Sequence, residues 1–92
     1  MSYRVIWLSD LEDVLISLYL RASADGQAAA VTRATAEIDQ RLAADPLAAG
    51  ESRSGRLRIL IETPLAIDFE VLEADRVVVV TGVRYSPPRA AS

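Results

Sequence analysis

The chain has 92 residues, is 51% hydrophobic and 25% charged, and carries a formal net charge of −3. That length holds one hydrophobic core, and the composition is globular rather than disordered. Cysteine and histidine are absent and all 10 basic residues are arginine, which excludes disulfides, thiolate metal sites and the usual general base, and favours clamping phosphate or carboxylate over moving protons.

Residues 3–8 (YRVIWL) are rich in β-branched and aromatic side chains and read as a first strand. Alternation sets Tyr3, Val5 and Trp7 on one face, with Trp7 in the core, and Arg4, Ile6 and Leu8 on the other. Ser9 followed by Glu12 gives a capping-box pattern, and Asp10, Glu12 and Asp13 favour a first helical turn. Leu11, Val14, Leu15, Leu18 and Tyr19 form an apolar stripe, so a helix is predicted over residues 10–22. After the break at residues 23–26, Asp25 or Ser23 is expected to cap a second helix over 27–44. Its buried stripe is Val31, Ala34, Thr35, Ile38 and Leu42, and its solvated face holds Arg33, Glu37 and Arg41. Asp45-Pro46 ends this helical hairpin.

Residues 47–55 read as a loop of small and polar residues. In the strand predicted over 56–62, Leu57, Ile59 and Ile61 point inward and Arg56, Arg58, Leu60 and Glu62 outward. Thr63-Pro64 turns the chain into a strand with Leu65, Ile67, Phe69 and Val71 on one face and Ala66, Asp68, Glu70 and Leu72 on the other. A second turn at 73–75 leads to the longest strand, over 76–85, where Gly82 marks a bulge or a close backbone approach. Pro87-Pro88 ends that strand, giving a single domain over 1–86 and a tail over 87–92.

The expected fold class is α+β. It is a two-layer β-α-α-β-β-β domain whose N-terminal helical hairpin packs on a curved antiparallel sheet, leaving Arg58, Asp68, Glu70 and Arg84 on the uncovered face. No apolar run approaches membrane-span length and the N-terminus lacks a signal-peptide pattern, so a cytoplasmic location is expected.

That order, with YRVIW at the start, IDQRLAADP closing the helices, GESR, GRLRIL, PLAIDFEV and a final VVVVTGVRY, resembles the RelE/ParE superfamily of toxins from type II toxin–antitoxin modules. The resemblance covers nearly the whole chain and rests on the order and spacing of individually weak motifs. It implies a cognate antitoxin that wraps the toxin, and at least two activities among its members, with a structural descendant that has lost toxicity as the third reading. RelE-like members cleave messenger RNA in the ribosomal A site, whereas ParE-like members inhibit DNA gyrase. A homodimer is a further association it leaves open.

Carried over residue by residue, Arg58 stands at the strand arginine that contacts the scissile phosphate in the nucleases. Arg84 lies near the C-terminal arginine, and Tyr85 near a C-terminal aromatic or histidine. The chain departs from the nuclease pattern in having no lysine and in ending Arg84-Tyr85-Ser86-Pro87 where a nuclease has R-Y-H-Y. The groups that would transfer protons are replaced by Ser86 and Pro87, which favours binding over cutting.

Each candidate also has a structural reading. Arg58 clamps a phosphate or forms a cross-strand salt bridge with Asp68 or Glu70. Arg84 is structural or antitoxin-facing, or else stabilises phosphorane charge. Tyr85 is a packed tyrosine, or an acid–base group needing a shifted pKa. Arg53 and Arg56 are solvated loop arginines or contacts to RNA phosphates. Arg53, Arg56, Arg58, Asp68, Glu70 and Arg84 together form the expected target- or antitoxin-binding set. Asp68 and Glu70 share a face but lack a third ligand, so neither a metal nor another cofactor is expected.

Overall fold

The structure is a computed structural model and describes residues 2–86. The expected end of the last strand at Pro87-Pro88 and the tail over 87–92 lie outside the described residues. Among those described, the order is β1 (Arg4–Trp7), α1 (Leu11–Ala24), α2 (Ala28–Ala44), α3 (Pro46–Ala49), β2 (Glu51–Ser54), β3 (Leu57–Glu62), β4 (Leu65–Leu72) and β5 (Val77–Tyr85), with a 3-10 turn at Glu73–Asp75. The α+β class is as expected. The strands form one open sheet in the order β1-β5-β4-β3-β2.

The sheet is mixed, which corrects the expectation of an antiparallel one. β1 runs parallel to β5 and pairs Arg4 with Val77 through Trp7 with Val80. The valine strand β5 lies inside the sheet and has two edges to pair. β4 takes one, and the helical hairpin carries the chain back so that β1 satisfies the other.

The helix ends depart from the expected caps. Ser9 and Glu12 form no capping box. The backbone N–H of Glu12 bonds the Ser9 carbonyl at 3.1 Å, and α1 starts at Leu11 with no side-chain cap. Its C-terminus closes through two backbone bonds, Gln27 N–H to the Ala22 carbonyl at 2.7 Å and Gly26 N–H to Ser23 at 3.1 Å. This is a Schellman motif, which needs a left-handed residue, and Gly26 supplies it with φ +73°. Neither Asp25 nor Ser23 caps α2, whose first turn is entered from Gln27 without a side-chain bond.

Residues 47–55 are not a plain loop. Pro46 has no N–H to lose and opens the short helix α3 at its first position. The chain then runs extended as β2, pairing Glu51 with Ile59 and Ser52 with Arg58 before a register shift near Ser54.

The core lies between the helices and one sheet face. α1 contributes Leu11, Leu18 and Ala22, and α2 contributes Val31, Ala34, Ile38 and Leu42. The sheet contributes Leu60, Leu65, Ile67, Phe69, Val78, Val80 and Val83. Each large aliphatic or aromatic side chain buried this way is worth about 1.5–3 kcal/mol before entropy is charged against it. Val14 and Tyr19, expected in the α1 stripe, are exposed instead, because the helix packs along Leu11, Leu18 and Ala22 and turns them aside. Trp7 is half-buried rather than central; its indole packs on the core and donates to Asp39 at 2.8 Å.

The facing of β3 is the reverse of the expected one. Cross-strand pairs put Arg58 opposite Phe69, Leu60 opposite Ile67 and Glu62 opposite Leu65. Directly opposed residues share a face, so Arg58, Leu60 and Glu62 point to the helices while Leu57, Ile59 and Ile61 point away. Leu60 is buried and Ile61 is 66% exposed. Both faces of this strand carry aliphatic residues, so alternation alone cannot choose between them. Arg58 and Glu62 are tolerated on the helix side because each finds a partner there.

Candidate functional site

Arg58 is received by the segment that follows α2. Its Nη2 donates to the carbonyls of Leu47 at 2.7 Å and Gly50 at 2.8 Å. Its Nε is buried and meets no protein acceptor. The cross-strand salt bridge with Asp68 or Glu70 therefore does not form, because those carboxylates lie on the opposite face of the sheet. Arg58 and Arg56 border a shallow cavity of about 190 Å³ with Ser52, Gly55 and Glu73. Arg41, expected on a solvated face, reaches across the corner of the sheet. It pairs with Glu62 at 2.9 Å and donates to the Ala49 carbonyl at 3.2 Å.

Arg84 sits near the far end of β5, opposite Ala66. It pairs with Asp68 at 2.9 Å on the face turned away from the helices. This pair depends on a bulge. The register shifts between Asp68 and Phe69, and Gly82 then faces Asp68. A Cβ on Gly82 would stand 2.9 Å from the Asp68 carboxylate, so the glycine is both a bulge residue and a close approach.

Tyr85 comes next, on the helix side opposite Leu65. Its hydroxyl donates to Asp25 at 2.8 Å, and the Arg21 guanidinium lies 5.5 Å from its ring centroid. Desolvation, then the hydrogen bond to Asp25 and that carboxylate's charge, push the phenol above its ordinary 10.0, with Arg21 opposing. A raised phenol is a poorer base at neutral pH. A raised folded-state value also means that its contribution to stability is complete below the ordinary value and is lost as pH climbs through the folded one. Urea melts stepped from neutral to alkaline pH should show the native chain losing stability in that range. Tyr85→Phe should lose less there, whereas identical alkaline limbs would contradict the Tyr85–Asp25 coupling.

The three catalytic candidates are not gathered. Arg58 and Arg84 lie on opposite faces. Tyr85 shares a face with Arg58, but their partners Leu65 and Phe69 are four residues apart on β4, about 13 Å along a strand. No family model matches the chain, and no curated protein matches it either. Arg53 and Arg56 are exposed on and beside β2. Among the described residues no cluster of three acidic side chains could hold a metal ion, and no helix is long and apolar enough to cross a membrane.

The feature that sequence reasoning missed is the uncovered sheet face. Ile6, Val79, Glu70 and Leu57 form one row across β1, β5, β4 and β3. Asp68 and Ile59 are paired in the next row, and Arg84, Ala66 and Ile61 make the third. The face carries Asp68, Glu70 and Arg84 as expected, with Glu51 and Arg4 toward its edges, but Arg58 is missing from it and aliphatic residues of β1, β3 and β5 stand between the charges. The signal was in the sequence, since β3 carries aliphatic residues at every position from Ile59 to Ile61 and so has to expose some of them. A second apolar surface lies on the outside of the helices. There Leu15, Tyr19 and Val31 border a groove of about 420 Å³, and Ile16 and Leu20 are 60% and 65% exposed.

Proposed function

We propose that this chain is a toxin-like component of a type II toxin–antitoxin module. It binds a cognate antitoxin in the cytoplasm and acts on a protein target such as DNA gyrase. The reading takes its family from the motif resemblance and its mode of action from the site. The observation that carries the mode is the dispersal of Arg58, Arg84 and Tyr85. Each is engaged by a neighbour of its own: two backbone carbonyls, Asp68 and Asp25 respectively. A phosphoryl-transfer site needs such groups converging on one phosphate. A binding module needs exposed apolar surface instead, and this chain has it at Ile16 and Leu20 on the helices and at Ile61 on the sheet.

The test is induced expression with and without the product of the adjacent reading frame. The expected outcome is growth arrest relieved by that product, with intact messenger RNA and reduced DNA supercoiling. Ribosome-dependent cuts that disappear in Arg84→Gln would reverse the mode and favour the RelE-like nuclease. Unimpaired growth at full expression would leave a structural descendant that is not toxic.

A further inference from the structure

Glu70 is an unmatched charge at the middle of the uncovered sheet face; Glu51, opposite Ile59, and Arg4, two residues before Ile6, lie toward its edges. Asp68 is engaged by Arg84. Glu70 makes no hydrogen bond or ion pair among the described residues, although it is half-buried. Its neighbours across the strands are Val79 and Leu57, with Ile6 beyond Val79, while Ile59 stands diagonally beside it. A carboxylate in the middle of an aliphatic field constrains what can cover that field. A purely apolar cover would strand the charge without water or a partner. A nucleic acid would bring phosphates against acidic groups on a chain of net charge −3. A second copy packed about a two-fold axis through Glu70 would bring carboxylate toward carboxylate. An occupant that satisfies both features presents aliphatic side chains with a cation among them. From β1 to β3 the grid spans three strand spacings, about 14 Å, enough to seat one helix with its side chains, about 10–12 Å across.

We infer that this face docks an amphipathic basic segment of a partner protein, with aliphatic side chains on Ile6, Leu57, Ile59 and Val79 and an arginine or lysine paired to Glu70. The inference rests on the protein-binding reading above and adds to it the face used and the chemistry of the partner.

The probe is a fluorescein-labelled 18-residue amphipathic helical peptide carrying a leucine stripe with one central arginine; a twin carries glutamate at that position. Anisotropy titrations compare the native chain with Glu70→Arg, Glu70→Gln and Glu37→Arg, the last making the same charge change as Glu70→Arg on the exposed face of α2. The arginine peptide should bind the native chain and Glu37→Arg alike. It should bind Glu70→Arg at least about tenfold more weakly and Glu70→Gln by an intermediate amount, the scale expected for losing one desolvated charge pair. The glutamate twin should prefer Glu70→Arg. Amide shift changes should centre on Leu57, Ile59 and Val79.

Equal weakening by Glu37→Arg and Glu70→Arg would overturn the inference, as would shifts confined to the groove between α1 and α2. A native dimer that Ile59→Arg dissociates would assign the face to a second copy instead. Because binding is read in vitro, peptide binding indifferent to Glu70 sinks this inference alone. Unimpaired growth in cells sinks the toxin reading alone.

Discussion

Arg58→Ala is expected to lower the unfolding free energy by about 2–4 kcal/mol, with the urea m-value unchanged. The guanidinium holds the carbonyls of Leu47 and Gly50 together, and so fixes the chain between the end of α2 and the start of β2. Hydrogen bonds from charged donors are each worth about 1.5–3 kcal/mol. Leu47 is 44% exposed, so water can recover part of the loss at its carbonyl, which keeps the total below two full bonds. Arg58→Lys should recover only part, because both bonds come from Nη2 and the lysine ammonium ends one bond short of that position. Urea denaturation followed by circular dichroism measures both variants. A loss under about 1 kcal/mol, accompanied by lost affinity for a phosphate ligand, would return Arg58 to the role that the family resemblance implies.

Much of the fold was legible because it rests on strong local signals. The stripe of Val31, Ala34, Ile38 and Leu42 gave α2 its core face, and the same residues are buried. Thr63-Pro64 gave the β3–β4 turn, and the valine run gave the longest strand, which lies inside the sheet. Gly82 gave the bulge. The failures come where two readings of one segment have similar local energies. Leu57, Ile59 and Ile61 outnumber Leu60 among the aliphatic residues of β3, so counting favours the wrong face. The choice is made by the register against Phe69 and Ile67, which is a long-range pairing. Ser9 offered a capping box that lost to backbone bonds continuing from β1.

The site was less legible than the fold for the same reason. Residue type picked out Arg58, Arg84, Asp68 and Glu70, but whether they meet depends on which face each occupies. One inverted strand separates Arg58 from both carboxylates. It leaves Asp68 to Arg84 across the bulge and Glu70 to no one among the described residues. The inversion therefore takes Arg58 away from the carboxylates and leaves Glu70 unmatched among aliphatic neighbours, with Glu51 and Arg4 toward the edges of the face.

Gly50→Ala is expected to cost about 3 kcal/mol, the upper part of the range for overpacking. The position does not need glycine for its torsions, since φ −142° and ψ −172° are ordinary extended backbone. Space is the constraint. An alanine Cβ would stand 2.5 Å from the Ile59 carbonyl oxygen and 3.0 Å from Cε1 of Phe69. Neither neighbour can yield easily. Ile59 is paired on both sides, with Glu51 and with Asp68, and Phe69 is fully buried. The chain at Gly50 must move instead, which carries away the carbonyl that Arg58 uses. Gly82→Ala should be milder, because its Cβ meets the tip of the Asp68 side chain rather than backbone. The shared carbonyl makes the two large effects interdependent. Gly50→Ala combined with Arg58→Ala should cost less than the sum of the single variants by about 0.5 kcal/mol or more, measured as a double-mutant cycle in urea. Strict additivity would mean that the displaced backbone leaves the Arg58 bonds intact, so that Ile59 and Phe69 alone set the cost.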